Sequence, residues 1–500
     1  VARIIHTHEL SPGDLANQWE RDQVYNGLDT CVTYEVLEQL LPQLDEHTSA
    51  TYDLSRGLQA PTLEMRLRGV KVDLARRAEV IEEYHEQLDQ LERQLDEIVL
   101  EGVGMPGFNW RSNADLQALF YGKLQIPPIL SGGRPTVNRK ALEKLDAYLI
   151  ARPIVRHLLT MRDIGKRIGV LQTAIDPDGR MRTSYNIAGT STGRFSSSFT
   201  EFGTGGNLQN VEESLRSIFV SDPGTKFAKF DAKSGESFCV GAIEWNLFGD
   251  DRYLSACESG DPHTAVARLV WPGLPWTGDL KSDKEIAEQK FYRHLSHRDV
   301  CKRLGHGSNY LGRPETLAEQ SSVPIELVRQ FQPKYFKSFP AHLRWHEWLG
   351  IQLRRHGWLI SLTGRKRYFF GRRNDGETKR GAVAYDPQCS LADIVNRAML
   401  RLWRTGLYTI VLHDHDALTF QYLESQEDEI IPVLLSELIE PIPLRNGRVL
   451  RIPYDCQVGW NRGKCSEQNP DGLIDYKGPD KRKRTTPVPL LDRVVRRTHR

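Results

Sequence analysis

The stretch YTIVLHDHDALTFQY, residues 408–422, constrains the fold more tightly than any other part of the chain. Two apolar half-strands flank His413, Asp414, His415 and Asp416, so the segment reads as a buried hairpin with acids at its tip. Burying carboxylates is costly unless something positive lies between them, and a divalent cation would serve. His and Asp also bind zinc, but here they are adjacent in one turn, and no second His-rich segment completes a structural zinc site.

A second acid ends another short strand. In KFAKFDAKSGES, residues 226–237, the strand runs into Asp231, and a turn then opens a helix from near Ser234 through Ile243. Such an acid can hold a metal, but a strand-end carboxylate is also a common cap or turn residue. In SHRDVCKRLGHGSNYLG, residues 296–312, Ser296 and Asp299 have capping-box form, which places Arg298 and Lys302 one turn apart on one helix face, with His306 and Tyr310 continuing it. A guanidinium fork and an ammonium so aligned suit a polyphosphate, with an imidazole and a phenol beyond for a sugar and base; a solvated basic face is the alternative. Gly305, Gly307 and Gly312 weaken that helix and favour the binding reading. In residues 363–381, Arg365, Lys366, Arg367, Arg372, Arg373, Lys379 and Arg380 are interleaved with Tyr368, Phe369 and Phe370, a composition suited to a phosphate backbone or to a solvated loop.

With 500 residues there is room for about three domains. Hydrophobic residues make up 39%, and no apolar run approaches the length of about 18 that a membrane span needs. Seven cysteines without C-x-x-C spacing argue against a disulfide framework and a zinc cluster and fit a reducing interior. Lys plus Arg (67) nearly balances Asp plus Glu (65), so net charge does not choose a partner. The sequence opens without Met or a signal pattern, as expected of a piece of a longer protein. Residues 1 to about 50 are helical in pattern up to Pro42, and a second helical region is expected from near Ser55. Residues 74–99 predict a long, mostly solvated helix, a protruding arm with loops at its tip over 102–135 and helices returning through 140–171. An α+β texture follows from about residue 180 to 461. Residues 466–500 read as a disordered basic tail, whose last 24 residues hold nine Lys or Arg against two Asp.

The three acid and base segments, in this order, resemble motifs A, B and C of the family A DNA polymerases. Motif A, D-x-S-Q-x-E, keeps its acids as Asp231 and Glu236, with Ser234 in place of Gln. Motif B is matched by Arg298, Lys302 and Tyr310; its Gly comes one place late at Gly312, and its usual aromatic is His306. Motif C is matched by His415 and Asp416, with Ala417 where Glu is common. The register at His413 and Asp414 fits less well, because it puts an acid where the family is apolar. STGRFSSS with Arg194, and GNLQNV with Asn207 and Gln209, are similar to elements that precede motif A. DPQCSLADI resembles the element around a Gln that reads the minor groove, here Gln388. Asp261 and His263 resemble the start of the fingers, and LEMRLRGVKVD the start of the thumb. Tyr25 and Asp29 resemble the last motif of a 3′ to 5′ exonuclease. Its other carboxylates are missing from residues 1–50, so no proofreading is expected of this chain.

The resemblance implies an α+β right hand: helical thumb, antiparallel-sheet palm and helical fingers, preceded by the remnant of an RNase H-like exonuclease domain. The expected divisions are exonuclease remnant 1–50, thumb 51–180, first palm segment 181–255, fingers 256–355, second palm segment 356–465 and tail 466–500. It implies DNA-directed DNA synthesis with two Mg²⁺ held by Asp231 and Asp416, and phosphates neutralised by Arg298, Lys302 and His263. Tyr310 would lie near the templating pair, His306 and Glu236 at the sugar, and Arg194, Gln388, His415, Asn207 and Gln209 along the DNA. Expected partners are primer-template DNA, dNTPs and processivity or replisome proteins, with no membrane, in the cytoplasm of a bacterial or phage-infected cell. A single-subunit RNA polymerase is opposed by Glu236, which would exclude a ribose 2′-OH. A nuclease is opposed by the incomplete ligand set around Tyr25 and Asp29. A catalytically inactive DNA-binding subunit would have no use for both metal acids.

Overall fold

A computed structural model describes residues 18–372 and 375–478. Its first helix, α1 (Gln18–Leu40), leaves Tyr25 63% exposed. Helix α2 (Glu46–Arg68) starts earlier than the periodicity implied, because Asp45 and Thr48 form a reciprocal capping box. Residue 50, an expected domain boundary, therefore falls inside a helix. Gly69 turns the chain into β1 (Val70–Val72), and Asp73 then caps α3 (Leu74–Val103) by accepting from the Arg76 amide at 3.0 Å.

Helix α3 is long and mostly exposed, as expected, but one face of it is packed. Leu88, Leu95 and Val99 recur at helical spacing and bury one face against Leu158, Met161 and Ile164 of the returning α4 (Arg152–Leu171). The intervening residues are not all loop, since Leu116, Leu119 and Phe120 close the end of this core. The result is the expected helical thumb with a core of its own. Strand β2 (Arg180–Met181) pairs back onto β1, as does β5 (Phe219–Val220) further on; between them, β3 (Ser184–Asn186) and β4 (Ser196–Ser198) form a small hairpin.

Strand β6 (Thr225–Ala232) leads into α5 (Gly235–Phe248). The fingers-side helices include α6 (Pro262–Val270), α7 (His297–Asn309) and α8 (Pro340–His356). The hairpin of β7 (Trp358–Ile360) and β8 (Lys366–Tyr368) precedes α9 (Gly376–Arg404), a largely buried helix packed on α5, where Gly235 leaves room for Leu391. Strands β9 (Thr409–Asp414), β10 (Ala417–Leu423), β11 (Tyr454–Gly459) and β12 (Ile474–Asp475) complete an antiparallel sheet in the order β9-β10-β6-β11-β12.

Further expected divisions do not fall at element ends. Residue 255 lies inside the helix Arg252–Glu258. Residues 466–478 are not tail: β12 adds to the sheet edge, and the Tyr476 amide donates to the Cys456 carbonyl at 2.9 Å. Residues 479–500, like Arg373, lie outside the described residues.

Candidate functional site

Strands β6 and β10 end side by side, and their register decides the site. Asp231 pairs with Ala417, and the Ala232 amide donates to the Asp416 carbonyl at 3.1 Å, so Asp231 near the end of β6 and Asp416 in the turn just before β10 lie at one end of the sheet. His415 makes this possible by occupying the tight turn at φ 60°, a conformation uncommon for a residue with a side chain. Burial, together with the nearby Glu236 and Asp231, raises the Asp416 carboxyl above its usual range, while the Arg194 guanidinium at 3.8 Å opposes that shift. Asp231 is more open and meets Lys229 at 3.2 Å.

Glu236, in the first turn of α5, is gripped from three sides. Arg194 and the Tyr310 hydroxyl both donate to its carboxylate, and His306 Nε2 stands 3.6 Å away. Burial and Glu236 push the Tyr310 phenol well above its ordinary pKa, so it serves as a neutral donor. His306 and Tyr310 contact edge to face with centroids 4.7 Å apart.

The two acids of the hairpin have different surroundings. Asp414 meets Arg462 at 2.7 Å, a buried guanidinium from beyond β11, so the positive group required beside this acid is a side chain. His413 is fully buried and held near pKa 4, chiefly by that burial. Its ring stacks on Phe195 at 4.3 Å, and Nε2 lies 2.9 Å from Asn396 Oδ1. Because the Asn396 amide nitrogen donates to the Gly193 carbonyl at 3.1 Å, its oxygen is the acceptor and His413 carries its proton on Nε2. This chain ties the hairpin to the loop that aims Arg194. Gly193, at φ 75°, allows the close approach, since a Cβ there would lie 3.0 Å from the Arg365 guanidinium carbon. Nothing local in the sequence marks Phe195, Asn396 or Arg462 for these tasks.

Helix α7 begins with the expected capping box of Ser296 and Asp299. Arg298 is not open: it forks onto Asp261, the cap of α6, at 2.9 and 3.2 Å. His263 beside it is lowered to about 4, by burial first and then by Arg298, and so is neutral near pH 7. Lys302 and His306 are exposed. Gly307 and Gly312 have a packing role, since a Cβ at either would collide with Leu317.

The remaining expected residues separate. Gln209 is buried and donates to the His413 carbonyl at 3.0 Å, bracing the hairpin and not facing outward. Asn207 accepts from Ser197, and Gln388 is half-buried on α9. In the basic segment, Arg365 is locked to Asp393 at 2.6 Å, Lys366 bonds Asp45 at 2.7 Å, and Arg367 lies over the Phe369 and Tyr385 rings. Tyr25 and Asp29 sit on α1, among side chains that are mostly exposed.

Among the described residues, no set of three or more His, Cys, Asp or Glu forms a closed metal cluster. Asp231 and Asp416 instead form an open pair, and this suits Mg²⁺, which binds through one or two carboxylates and takes its other ligands from water and substrate phosphates.

The model of DNA polymerase family A matches residues 76–463. DNA polymerase I of Chloroflexus aurantiacus is 28% identical over 480 residues, covering 89% of this chain and 47% of that protein. The thermostable DNA polymerase I of Thermus aquaticus is 26% identical over 431 residues, covering 81% and 47%. The chain thus spans about half the length of these curated relatives. A solved structure, the POL domain of Pol1 from M. smegmatis in complex with DNA primer-template and dNTP, superposes with a TM-score of 0.65 at 24% identity, covering 81% of this chain and 69% of that one, and shares the right-hand fold. The match of the family model across most of the chain, over the same strands and helices that carry the site, makes this protein a member of DNA polymerase family A.

Proposed function

We propose that this chain extends a primer 3′-OH with dNTPs on a DNA template, by nucleotidyl transfer at two Mg²⁺ ions, in bacterial or phage DNA replication. The observation that carries this reading is the placement of Asp231, near the end of β6, beside Asp416 in the turn that leads into β10, with Glu236 behind them and α7 alongside. Asp231 and Asp416 would hold the ions, whose chemistry is to neutralise the triphosphate and lower the pKa of the primer hydroxyl. Lys302 supplies an exposed positive charge on the triphosphate side, and Arg298 supplies a second by exchanging Asp261 for phosphate oxygens. Arg194 holds Glu236 in place, so the carboxylate closes the sugar pocket on its 2′ side, and Tyr310 forms the adjoining wall. A fixed Glu236 favours a DNA polymerase over an RNA polymerase. The test is extension of a labelled primer with Mg²⁺ and no other protein, comparing four dNTPs with four rNTPs. Extension with dNTPs alone is expected; equal use of rNTPs, or none of either by folded protein, would overturn the reading.

A further inference from the structure

The basic segment holds one feature the site does not use. Phe370 is 96% exposed, and its ring stacks on that of Tyr368, 49% exposed, with centroids 6.4 Å apart and planes at 21°. Successive side chains of an extended chain alternate, and Phe369 between them turns inward onto Tyr385. The two outward rings are held in place: the Phe369 amide donates to the Gly357 carbonyl at 2.8 Å, and Gly371 packs against Thr378 in the first turn of α9. The pair is therefore fixed between the last turn of α8, with Arg354, Arg355 and His356, and the first turns of α9, with Lys379 and Arg380.

This patch is close to Tyr310. On α8, His346, Gly350 and Arg354 recur at four-residue spacing and so share a face. His346 Nε2 bonds the Asn309 carbonyl at 2.7 Å, and Arg354 and Lys379 both approach Gly350 within 4 Å of a Cβ placed there. The cations therefore begin beside Gly350, one helical turn from the residue that bonds Asn309, and Arg354 follows one turn further, about 12 Å along the helix from His346.

We infer that Tyr368 and Phe370, flanked by these cations, form a stacking platform for the single-stranded template that has not yet reached Tyr310. Exposed rings stack on bases of any sequence while neighbouring Arg and Lys track the phosphates, the combination by which proteins hold single strands. A protein partner is less suited, because the side chains around the rings are mostly cationic and Asp375 is committed to capping α9. This inference rests on the polymerase reading only in identifying the strand as template.

The test measures affinity by fluorescence anisotropy for two DNAs sharing one duplex: one blunt, the other with a template overhang of about ten nucleotides. Phe370→Ala is expected to weaken binding of the overhang DNA by about 5- to 100-fold, the range of one base stacked on an aromatic ring, with blunt DNA unchanged. Phe370→Trp should restore affinity, and Tyr368→Ala should reproduce the loss. Equal weakening on both DNAs, an unchanged overhang affinity, or an effect confined to self-association of the protein would overturn the platform. If the overhang preference depends on Phe370 but wild type extends no primer, the platform stands and the polymerase reading falls. If wild type binds neither DNA, both fail.

Discussion

Asp414 and Asp416 lie two residues apart in one hairpin, yet one is matched by a buried guanidinium and the other shares its end of the sheet with two more carboxylates. Their substitutions should therefore fail differently. Asp231→Asn and Asp416→Asn are expected to slow primer extension by several orders of magnitude with little change in DNA affinity or stability. Asp414→Asn leaves Arg462 charged and buried without its partner, so it should cost about 3–5 kcal/mol in urea unfolding while activity per folded molecule stays near wild type. The reverse pattern would move the site to Asp414. Glu236→Ala should admit rNTPs in single-nucleotide insertion assays. His306→Tyr should alter acceptance of dideoxynucleotides, and identical discrimination by both proteins would remove His306 from the sugar pocket.

Helix α7 presents Arg298, Lys302 and His306 from a start fixed by the Ser296 and Asp299 box. Ser296 is almost fully buried, so Ser296→Ala removes an acceptor from the Asp299 amide with no water to replace it. A loss of about 1 kcal/mol is expected. Because the fraying would begin at the Arg298 end, KM for dNTPs should rise more than kcat falls. Steady-state kinetics would show this, and an unchanged KM would place Arg298 outside triphosphate binding.

The molecule has separable cores, one of them confined to the thumb. Leu95→Ala, at a fully buried position of α3, should cost about 2–5 kcal/mol, visible as faster amide exchange across α3 and α4 with the palm sheet unaffected. Global stability should also carry a pH signature from Asp386, buried in α9 and pushed up to about 6 mainly by that burial, although the Leu362 amide and Ser390 hydroxyl both donate to it. A carboxyl whose folded pKa is raised binds more protons folded than unfolded. Stability therefore falls as pH rises from its ordinary value of 3.8 to about 6, by on the order of 2–3 kcal/mol. Urea midpoints for wild type and Asp386→Asn should diverge across that window, with wild type losing more; parallel profiles would show that Asp386 does not charge there.

The sequence by itself determined the local devices: the hairpin with acids at its tip, the strand ending at Asp231, the capped helix bearing Arg298 and Lys302, and their order along the chain. Each is encoded by spacings of two, three or four residues, the repeat of the backbone itself. Tertiary structure decided which groups meet. Arg194 and Tyr310 reach Glu236 from 42 and 74 residues away, and Arg462 reaches Asp414 from 48. The approach of Leu317 to Gly307 and Gly312, and the pairing of residues 474–475 onto the sheet edge, follow from the same long-range packing. Which positive charge answers a buried acid depends on the three-dimensional meeting of strand ends and loops, and no local periodicity records it.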